Sequence, residues 1–589
     1  MKKIINRYSL QLMRLAGAIG IICLFFTSCE DMMGSFLDKP PGVDVTEDTI
    51  FSTQINAERF LMGIYRYGMY FDHCIEKEID GFKEAPWAAY CDEAESGGYW
   101  IVSNSYNSGN VTVNWNSDGG RTSGRYEYRW VAIRNINIFL DRLDDIPDNP
   151  DPAYKNMARG QALFIRGLCY FEMFKRYGGV PIVDFRFDLS NVENLKVPRA
   201  TIADVVDFIV KDAEEAYALL PDSWPAQYVG KATRGSALML KSRTLLYAAS
   251  PLTNTATPPL SLPGEQNLLI CYGDTDVERW KLAADAAKAV IDWAPGAGVH
   301  LLTGSERSYQ DTWEVPDNEE VIMASKLAPL DFPGSTLWRC LNGFFSDGWG
   351  TQITQNFVEK YERKDGTPQV WSPTGGNNLN QMYAELDPRF GQSVAHNAAY
   401  WNQDIPEIKL WEDAPEPNQR NYLITGYWLK KWVPTAMTRT VFAIPVWNLY
   451  RLGEAYLNYA EALNEYYPTP PQEAYDAVKI IRDRVGMPPF PAGLSQAQFR
   501  ERIRNERAIE LAFEEHRLWD IIRWRIAEQE GVMQGQMWGI KIYKLPEPST
   551  EFRWEPFVFE ERYWKAGMYR LPFLQNEINK GYLVQNPGW

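Results

Sequence analysis

The sequence lacks the short motifs by which the common classes of enzyme are identified. Its 589 residues contain no GxSxG, HExxH, GxGxxG or phosphate-binding P-loop pattern. Histidine is scarce, and the four copies stand far apart, at His73, His300, His396 and His516. We therefore predict that the protein is not an enzyme. Glycoside hydrolysis by two carboxylates stays open as an alternative, because the chain has 76 acidic residues that could supply such a pair.

Cysteine is equally scarce, which bears on disulfides and metals. Apart from Cys23 and Cys29 near the N-terminus, there are Cys74, Cys91, Cys169, Cys271 and Cys340. Five is an odd number, the spacings are long and no CxxC occurs, so neither a disulfide framework nor a zinc site is indicated. A disulfide between Cys74 and Cys91 stays open. We predict no cofactor, and a structural calcium ion has no motif to indicate it, because the segment DTDVER (274–279) lacks the glycine of an EF-hand loop.

Positive charge is in deficit over the whole chain. Lys and Arg number 60 against 76 Asp and Glu, which gives a formal net charge of −16. Such a chain repels nucleic acid and anionic lipid, so we exclude nucleic acid as a partner.

Long apolar runs are absent except at the N-terminus. Basic residues at positions 2, 3, 7 and 14 precede a twelve-residue apolar stretch, 15–26. That stretch is shorter than the roughly 20 residues needed to span a bilayer, and it is typical of a secretory signal. The small residues Thr27 and Ser28 precede Cys29, which looks like a bacterial lipobox. We expect a signal peptide over 1–28, acylation of Cys29 as the membrane anchor and a tether over 29–55; an ordinary signal with a chance cysteine is the alternative.

Helical periodicity dominates several parts of the remaining chain. Apolar residues recur at three- and four-residue steps in 56–70, 125–143, 161–177, 201–219, 232–249, 279–293, 445–464, 473–485 and 495–527. The pair AYLNYAEALNEY and EAYDAVKIIRDRVG has small residues where two helices would cross, as in tetratricopeptide hairpins. We expect Trp130, Trp280 and Trp519 to lie in the core of this helical part.

Two long regions have a different character. Residues 72–124 and 251–443 are rich in Gly, Asn, Pro, Trp and Tyr and show little periodicity. Ordered loops of this length are usually functional, and so many tryptophans argue against disorder. The sequence therefore predicts a mainly α fold, in which tetratricopeptide-like helix pairs form a scaffold for a large, irregular, loop-rich lobe with short strands.

Five segments, in order along the chain, resemble one family. They are RWVAIRNINIFLDRL (129–143), ARGQALFIRGLCYFEMFKRYGGVPIV (158–183), GTQITQNFVEKYERKDG (350–366), RNERAIELAFEEHRLWDIIRW (504–524) and YRLPFLQNEINKGYLVQNPGW (569–589). They are similar to the motifs of the SusD/RagB family of outer-membrane nutrient-binding lipoproteins of Bacteroidetes. The charged helix face from Glu506 to Arg517 lies inside one motif, and we interpret it as a structural link between helices.

The resemblance implies an architecture and a set of partners. A single SusD-like domain is expected over 56–589, with its helical scaffold at about 56–71, 125–250, 279–293 and 444–530 and its loop-rich lobe at about 72–124 and 251–443. The expected protein is anchored in the outer membrane by lipid on Cys29 and exposed on the cell surface. It would capture oligosaccharides or polysaccharides and deliver them to a TonB-dependent transporter of the SusC type. The alternative prediction is a peptide-binding uptake protein of the same family.

Aromatic residues in the loops are the candidate ligand contacts. A Trp or Tyr ring offers a flat apolar face to the C–H groups of a sugar, and Asn or Asp can bond the hydroxyl groups. Family members tend to contact ligand through the corresponding loops. We therefore predict stacking platforms and two hydrogen-bonding side chains, namely Trp100, Tyr106, Trp115, Trp338 and Trp349 with Asp92 and Asn104.

Overall fold

The computed structural model describes residues 46–69, 87–97, 102–114, 126–187, 190, 192–325, 350–438 and 446–589. The α-helices in these ranges are α1 (Glu47–Phe51), α2 (Gln54–Gly68), α3 (Val102–Asn107), α4 (Tyr126–Asp141), α5 (Tyr154–Tyr177), α6 (Ile202–Leu219), α7 (Arg234–Ala249), α8 (Glu278–Trp293), α9 (Asp311–Glu314), α10 (Gln355–Val358), α11 (Leu379–Glu385), α12 (Arg389–Ser393), α13 (Leu452–Tyr466), α14 (Gln472–Asp483), α15 (Gln496–Glu510), α16 (Arg517–Trp524) and α17 (Gln575–Ile578).

The strands are short and occur in antiparallel pairs. They are β1 (Ala94–Ser96) with β3 (Thr351–Ile353), β2 (Val321–Ser325) with β6 (Trp447–Arg451), β4 (Val394–Ala395) with β5 (Trp428–Leu429), and β7 (Gly535–Lys544) with β8 (Phe552–Arg562). The predicted mainly α fold is therefore confirmed. In the described ranges, no helix combines the length and the apolar character needed to cross a membrane.

The long helices pack in sequence order, each against the next. Helices α5 to α8 form consecutive pairs, and α8 then packs on α13, which in turn contacts α14 and α15. Their buried faces form one apolar core, the helical core, which runs from Phe51 in α1 to Leu583 near the C-terminus. A second core, the lobe core, gathers Tyr309, Trp432, Trp554 and other aromatic residues of the irregular lobe.

Local sequence signals explain where several helices begin and end. Helices α6, α7 and α15 begin at capping boxes, in which Thr201, Thr233 and Ser495 cap the helix. Helix α5 ends at Gly178, whose φ is +82° and whose added Cβ would meet the carbonyl oxygen of Leu269 at 2.6 Å. Only glycine fits such a position, so the chain turns there and leaves the helical layer.

One of the expected helices differs from the structure. The helix predicted over 445–464 is a strand as far as Arg451, because residues 447–451 pair with β2, a partner more than a hundred residues earlier in the chain. The segments 473–485 and 495–527, expected to form two or three helices, form three, because positive φ values at Phe513 and Glu515 separate α15 from α16. Phe51 of α1 is buried in the helical core.

A buried ionic cluster links the helical core to the lobe core. Five acidic and five basic side chains contribute to it, and α15 lies at its centre: Asp387, Glu320, Glu506, Glu510 and Glu514 pair with Arg389, Arg451, Arg482, Arg484 and Lys431. The charged helix face is therefore structural, as interpreted. Most of its partners lie on other elements, so the pairs hold the two parts of the protein together.

Candidate functional site

Four stretches of the described structure form the base to which the predicted binding loops attach. We call Trp87–Gly97, Val321–Ser325, Gly350–Ile353 and Val446–Arg451 the loop-anchor surface. In the first and third stretches, the amide of Gly97 donates to the carbonyl oxygen of Gly350 at 3.2 Å, and Ser96 pairs with Thr351. In the second and fourth, Ser325 pairs with Trp447. The start of segment 98–101 is thus fixed beside the end of segment 326–349, and the start of segment 326–349 is fixed beside the end of segment 439–445.

Aromatic residues connect these two strand pairs. The ring centroids of Trp87 and Trp519 are 5.5 Å apart, and those of Trp87 and Tyr90 are 4.9 Å apart. Trp519 also lines a small cavity of about 30 Å³ together with Trp447. The predicted core position of Trp519 is confirmed, and Trp87, Tyr90 and Trp519 form an aromatic layer at the base of the loop-anchor surface.

Cations cover the faces of this aromatic layer. The guanidinium of Arg176 lies 4.8 Å from the ring of Trp519 and 5.5 Å from that of Trp87, and Lys175 lies 4.9 Å from Trp519. Burial lowers the pKa of Lys175 to about 8, although Glu172 pairs with it at 2.7 Å. Because the ring faces already hold cations, these tryptophans support the surface and do not present a platform to a ligand.

Asp92 lies inside this support. Its two oxygens accept hydrogen bonds from Arg517 at 2.8 and 2.7 Å, and Lys360 lies at 3.4 Å. Burial opposes ionisation of Asp92, but Arg517 and Lys360 outweigh it and hold the pKa of the carboxyl below its ordinary value. The side chain is completely buried. The structure therefore places Asp92, predicted as a hydrogen-bonding partner of a ligand, in an internal ion pair.

Two neighbouring acids fix the same strand to the C-terminal part of the chain. Glu93 accepts from the amide of Phe513 at 2.8 Å, and burial raises its pKa to about 8. Glu95 pairs with Arg562 at 2.8 Å, and Arg562 also donates to the carbonyl oxygen of Cys91 at 2.6 Å. Residues 91–95 are therefore held rigidly just before segment 98–101, which contains Trp100. Cys91 itself is a free thiol.

The remaining predicted site residues divide into two groups. Tyr106 on α3 is 2% exposed and packs edge-to-face on Tyr90 and Trp564, with centroids 5.4 and 6.2 Å apart. It offers no free face, whereas Asn104 on the same helix is half-buried. The other predicted contacts, and the cysteine predicted to be lipidated, lie outside the described residues, namely Trp100, Trp115, Trp338, Trp349 and Cys29.

A large groove runs along the outer face of α4, and the sequence did not indicate it. The α4 groove has a volume of about 850 Å³ and lies between α4, residues 181–187 with Leu195 and Val197, and residues 577–582. Trp130 is half-buried in its wall and not fully in the core as predicted, while Trp280 is buried. In the sequence, the groove is marked only by Phe185 and Phe187, two aromatic residues separated by one position after the end of α5.

Among the residues that the structure describes, no group of three or more His, Cys, Asp or Glu side chains is arranged to hold a metal ion.

Comparisons with known proteins agree on one family. The profile described as "SusD family" matches residues 333–589, and the profile described as "Starch-binding associating with outer membrane" matches residues 36–246. SusD-like protein P25 from Formosa agariphila is 22% identical, and the alignment covers 93% of this chain and 98% of that protein.

Solved structures share the fold over nearly the whole chain. A SusD-like protein from Bacteroides fragilis NCTC 9343 has a TM-score of 0.74 at 24% identity, with 94% of this chain and all of that chain covered. A protein described as a laminarin binding SusD-like protein has a TM-score of 0.57 at 19% identity, covering 92% of this chain and all of the other. From the ordered sequence motifs, the matching profiles and this shared architecture, we conclude that the chain belongs to the SusD family.

Proposed function

We propose that the protein binds oligosaccharides at the cell surface and delivers them to a TonB-dependent transporter of the SusC type. Binding would occur by stacking of sugar rings on aromatic side chains carried by the loop-anchor surface. The proposal is supported by the family, by the name of its profile over residues 36–246 and by the laminarin-binding relative of the same fold. A lipid on Cys29 would hold the protein on the outer membrane.

One observation carries the choice of site. The hydrogen bond between Gly97 and Gly350 brings together the ends of two segments that contain predicted platforms. Trp349 immediately precedes Gly350 in the chain. Trp100 is three residues after Gly97, so the Cα atoms of Trp100 and Gly97 are at most about 11 Å apart. Two tryptophans can thus act on one ligand, and the rigid base beneath them reduces the entropy that binding costs.

Release to a transporter requires that each contact be weak. A single aromatic platform contributes modestly, whereas several that match the curvature of a glycan act together and still allow dissociation. The internal ion pairs of Asp92 and Glu95 fit this division of roles, because they hold the base still and leave recognition to the loops.

Calorimetry on Trp100→Ala and Trp349→Ala tests the site. With laminarin oligosaccharides and a panel of other plant and host glycans as probes, we expect binding to a member of the panel that weakens about tenfold in each variant, the loss typical of one buried aromatic anchor. Trp224→Ala is the matched control, since this half-buried tryptophan lies on the helical scaffold between α6 and α7. Its affinity should equal that of the wild type.

The same samples decide between the competing functions. Glycan chains that keep their length after incubation support binding without hydrolysis, whereas shortened products favour the glycoside hydrolase. Binding of a peptide library with no response to any glycan favours the peptide-uptake function. Unchanged glycan affinity in both tryptophan variants would refute the proposed site. Co-purification with the outer-membrane transporter from detergent extracts tests the partner.

A further inference from the structure

The α4 groove is a preformed site with rigid walls. The side-chain amide of Asn137 in α4 donates hydrogen bonds to the backbone carbonyl oxygens of Val183 and Phe185, both at 3.0 Å. These bonds fix one wall of the groove against the helix. The amide of Val183 also donates to the hydroxyl of Tyr170 at 2.8 Å. The groove therefore exists before any occupant arrives.

The lining of the groove suits a peptide better than a sugar. Phe185 is 44% exposed and meets Phe187 at an interplanar angle of 76°, so the two rings form a ridged apolar surface and not a flat platform. The charged lining residues are mixed, with three acidic and three basic side chains: Glu127, Asp141, Glu577, Arg134, Arg186 and Lys580. A segment that carries apolar residues and charges of both signs matches this surface.

The described chain begins at one end of this groove. Glu47, the second described residue, pairs with Arg186 of the groove wall at 2.9 Å, and it also lies 3.4 Å from Arg142 just after α4. The residues that precede Thr46 therefore start at the rim of the groove next to Asp141.

We propose that the segment FLDKPPGVDV (36–45) docks in the α4 groove. The fifteen steps from Tyr126 to Asp141 give the groove a length of about 22 Å, which an extended peptide covers in about seven residues. Ten residues are sufficient to reach from the rim to the far end. Phe36 and Leu37 supply the apolar contacts, and Asp38 and Lys39 supply charges of both signs.

Two prolines favour this docking. Pro40 and Pro41 hold their part of the segment extended, so less conformational entropy is lost on binding, and neither has an amide that must find a partner. Docking does not depend on glycan binding. Its consequence is geometric, since only the residues between Cys29 and Phe36 would remain as a free linker to the lipid and the folded body would sit close to the membrane.

Photo-crosslinking of the full-length lipoprotein in detergent tests the docking. With p-benzoylphenylalanine in place of Phe36, we expect crosslinks to tryptic peptides that contain α4, residues 181–187 or residues 577–582, which are the walls of the groove. This measurement leaves the folded body unchanged, so a folding defect does not affect it. Crosslinks confined to other parts of the protein, or none at all, would overturn the proposal.

Groove variants provide the second arm. Phe185→Glu in the crosslinking protein should lower the yield about tenfold, because one exposed apolar contact becomes a charge. Leu282→Glu on α8 is the matched control, since Leu282 is 54% exposed and lies outside the groove. Saturating laminarin oligosaccharide should leave the yield unchanged. An equal effect of both variants, or displacement of the segment by sugar, would contradict docking.

Discussion

Replacement of Glu510 by glutamine should destabilise the protein strongly, although the side chain in the ionic cluster keeps its shape. Glu510 in α15 is completely buried, and one of its oxygens pairs with Arg451 at 2.7 Å and with Arg484. The other oxygen pairs with Arg389 at 3.0 Å. Glu510→Gln keeps the volume of the side chain and removes the charge, so three buried guanidinium groups lose a shared counter-ion.

The expected magnitude follows from the cost of an uncompensated buried charge. Removal of one partner from a buried ion pair costs about 3–5 kcal/mol. The remaining acids of the cluster still surround the arginines, so we expect the lower end of the range, about 3 kcal/mol in the free energy of unfolding. Urea denaturation followed by tryptophan fluorescence measures this value.

The effect should also depend on pH in a defined direction. Burial opposes ionisation of Glu510, but Arg484, Arg451 and Arg389 outweigh it and hold its pKa below the ordinary value. A depressed folded-state pKa stabilises the protein above the unfolded-state pKa of about 4.3, and this stabilisation is lost as the pH falls further. The difference between wild type and Glu510→Gln should therefore be full at pH 7 and shrink below about pH 4.

Glu501→Gln is the matched control on the same helix. Glu501 is 77% exposed and lies 3.8 Å from Arg504, and exposed pairs of this kind contribute about 0–1 kcal/mol. A loss below about 1 kcal/mol in Glu510→Gln, similar to that of the control, would refute the role of the ionic cluster as the link between the two cores.

Two further predictions concern packing and burial. Gly235→Ala should lower the free energy of unfolding by about 1–3 kcal/mol, because the new Cβ would lie 2.1 Å from the indole of Trp293. Gly63→Ala meets nothing within 4 Å and should stabilise α2 by about 0.5–1 kcal/mol. Thermal denaturation of the two variants distinguishes these effects. Burial raises the pKa of Cys169 to about 11 and that of Cys91 well above its ordinary value, so neither thiol should react with iodoacetamide at pH 8 until urea unfolds the protein, as mass spectrometry would show.

The helices could be predicted from sequence because their signal is local. The expected spans 201–219 and 279–293 correspond to Ile202–Leu219 and Glu278–Trp293. The strand Trp447–Arg451 could not be recognised, because its partner β2 lies more than a hundred residues away. Both β2 and β6 are buried over nearly their whole length, so neither shows the alternation that marks a half-exposed strand. The hairpin β7–β8 joins neighbouring segments and escapes prediction for a different reason, because its alternation of polar and apolar residues is irregular.

The site could be predicted only as a region. Asp92 carries the polar group that a sugar-binding residue needs, but its partner Arg517 lies 425 residues further along the chain, and nothing near Asp92 in the sequence shows it. Tyr106 likewise has the composition of a platform and packs on Trp564, a distant residue. Residue type indicates what a side chain can contact, whereas only the fold decides which of those contacts are already taken.

The long sequence separation of these contacts has a consequence for biosynthesis. The hydrogen bond from Arg562 to the carbonyl oxygen of Cys91 can form only after Arg562 has been synthesised, 471 residues later. The ion pair of Asp92 likewise requires Arg517. Helices α5 to α8 pack with near neighbours and can assemble while the chain is still growing, but the base of the first loop closes only when almost the whole polypeptide has been synthesised. Premature termination between the end of α8 and residue 517 therefore yields a chain in which α5 to α8 can pack but Asp92 lacks Arg517, so the region around the first loop stays open to proteolysis.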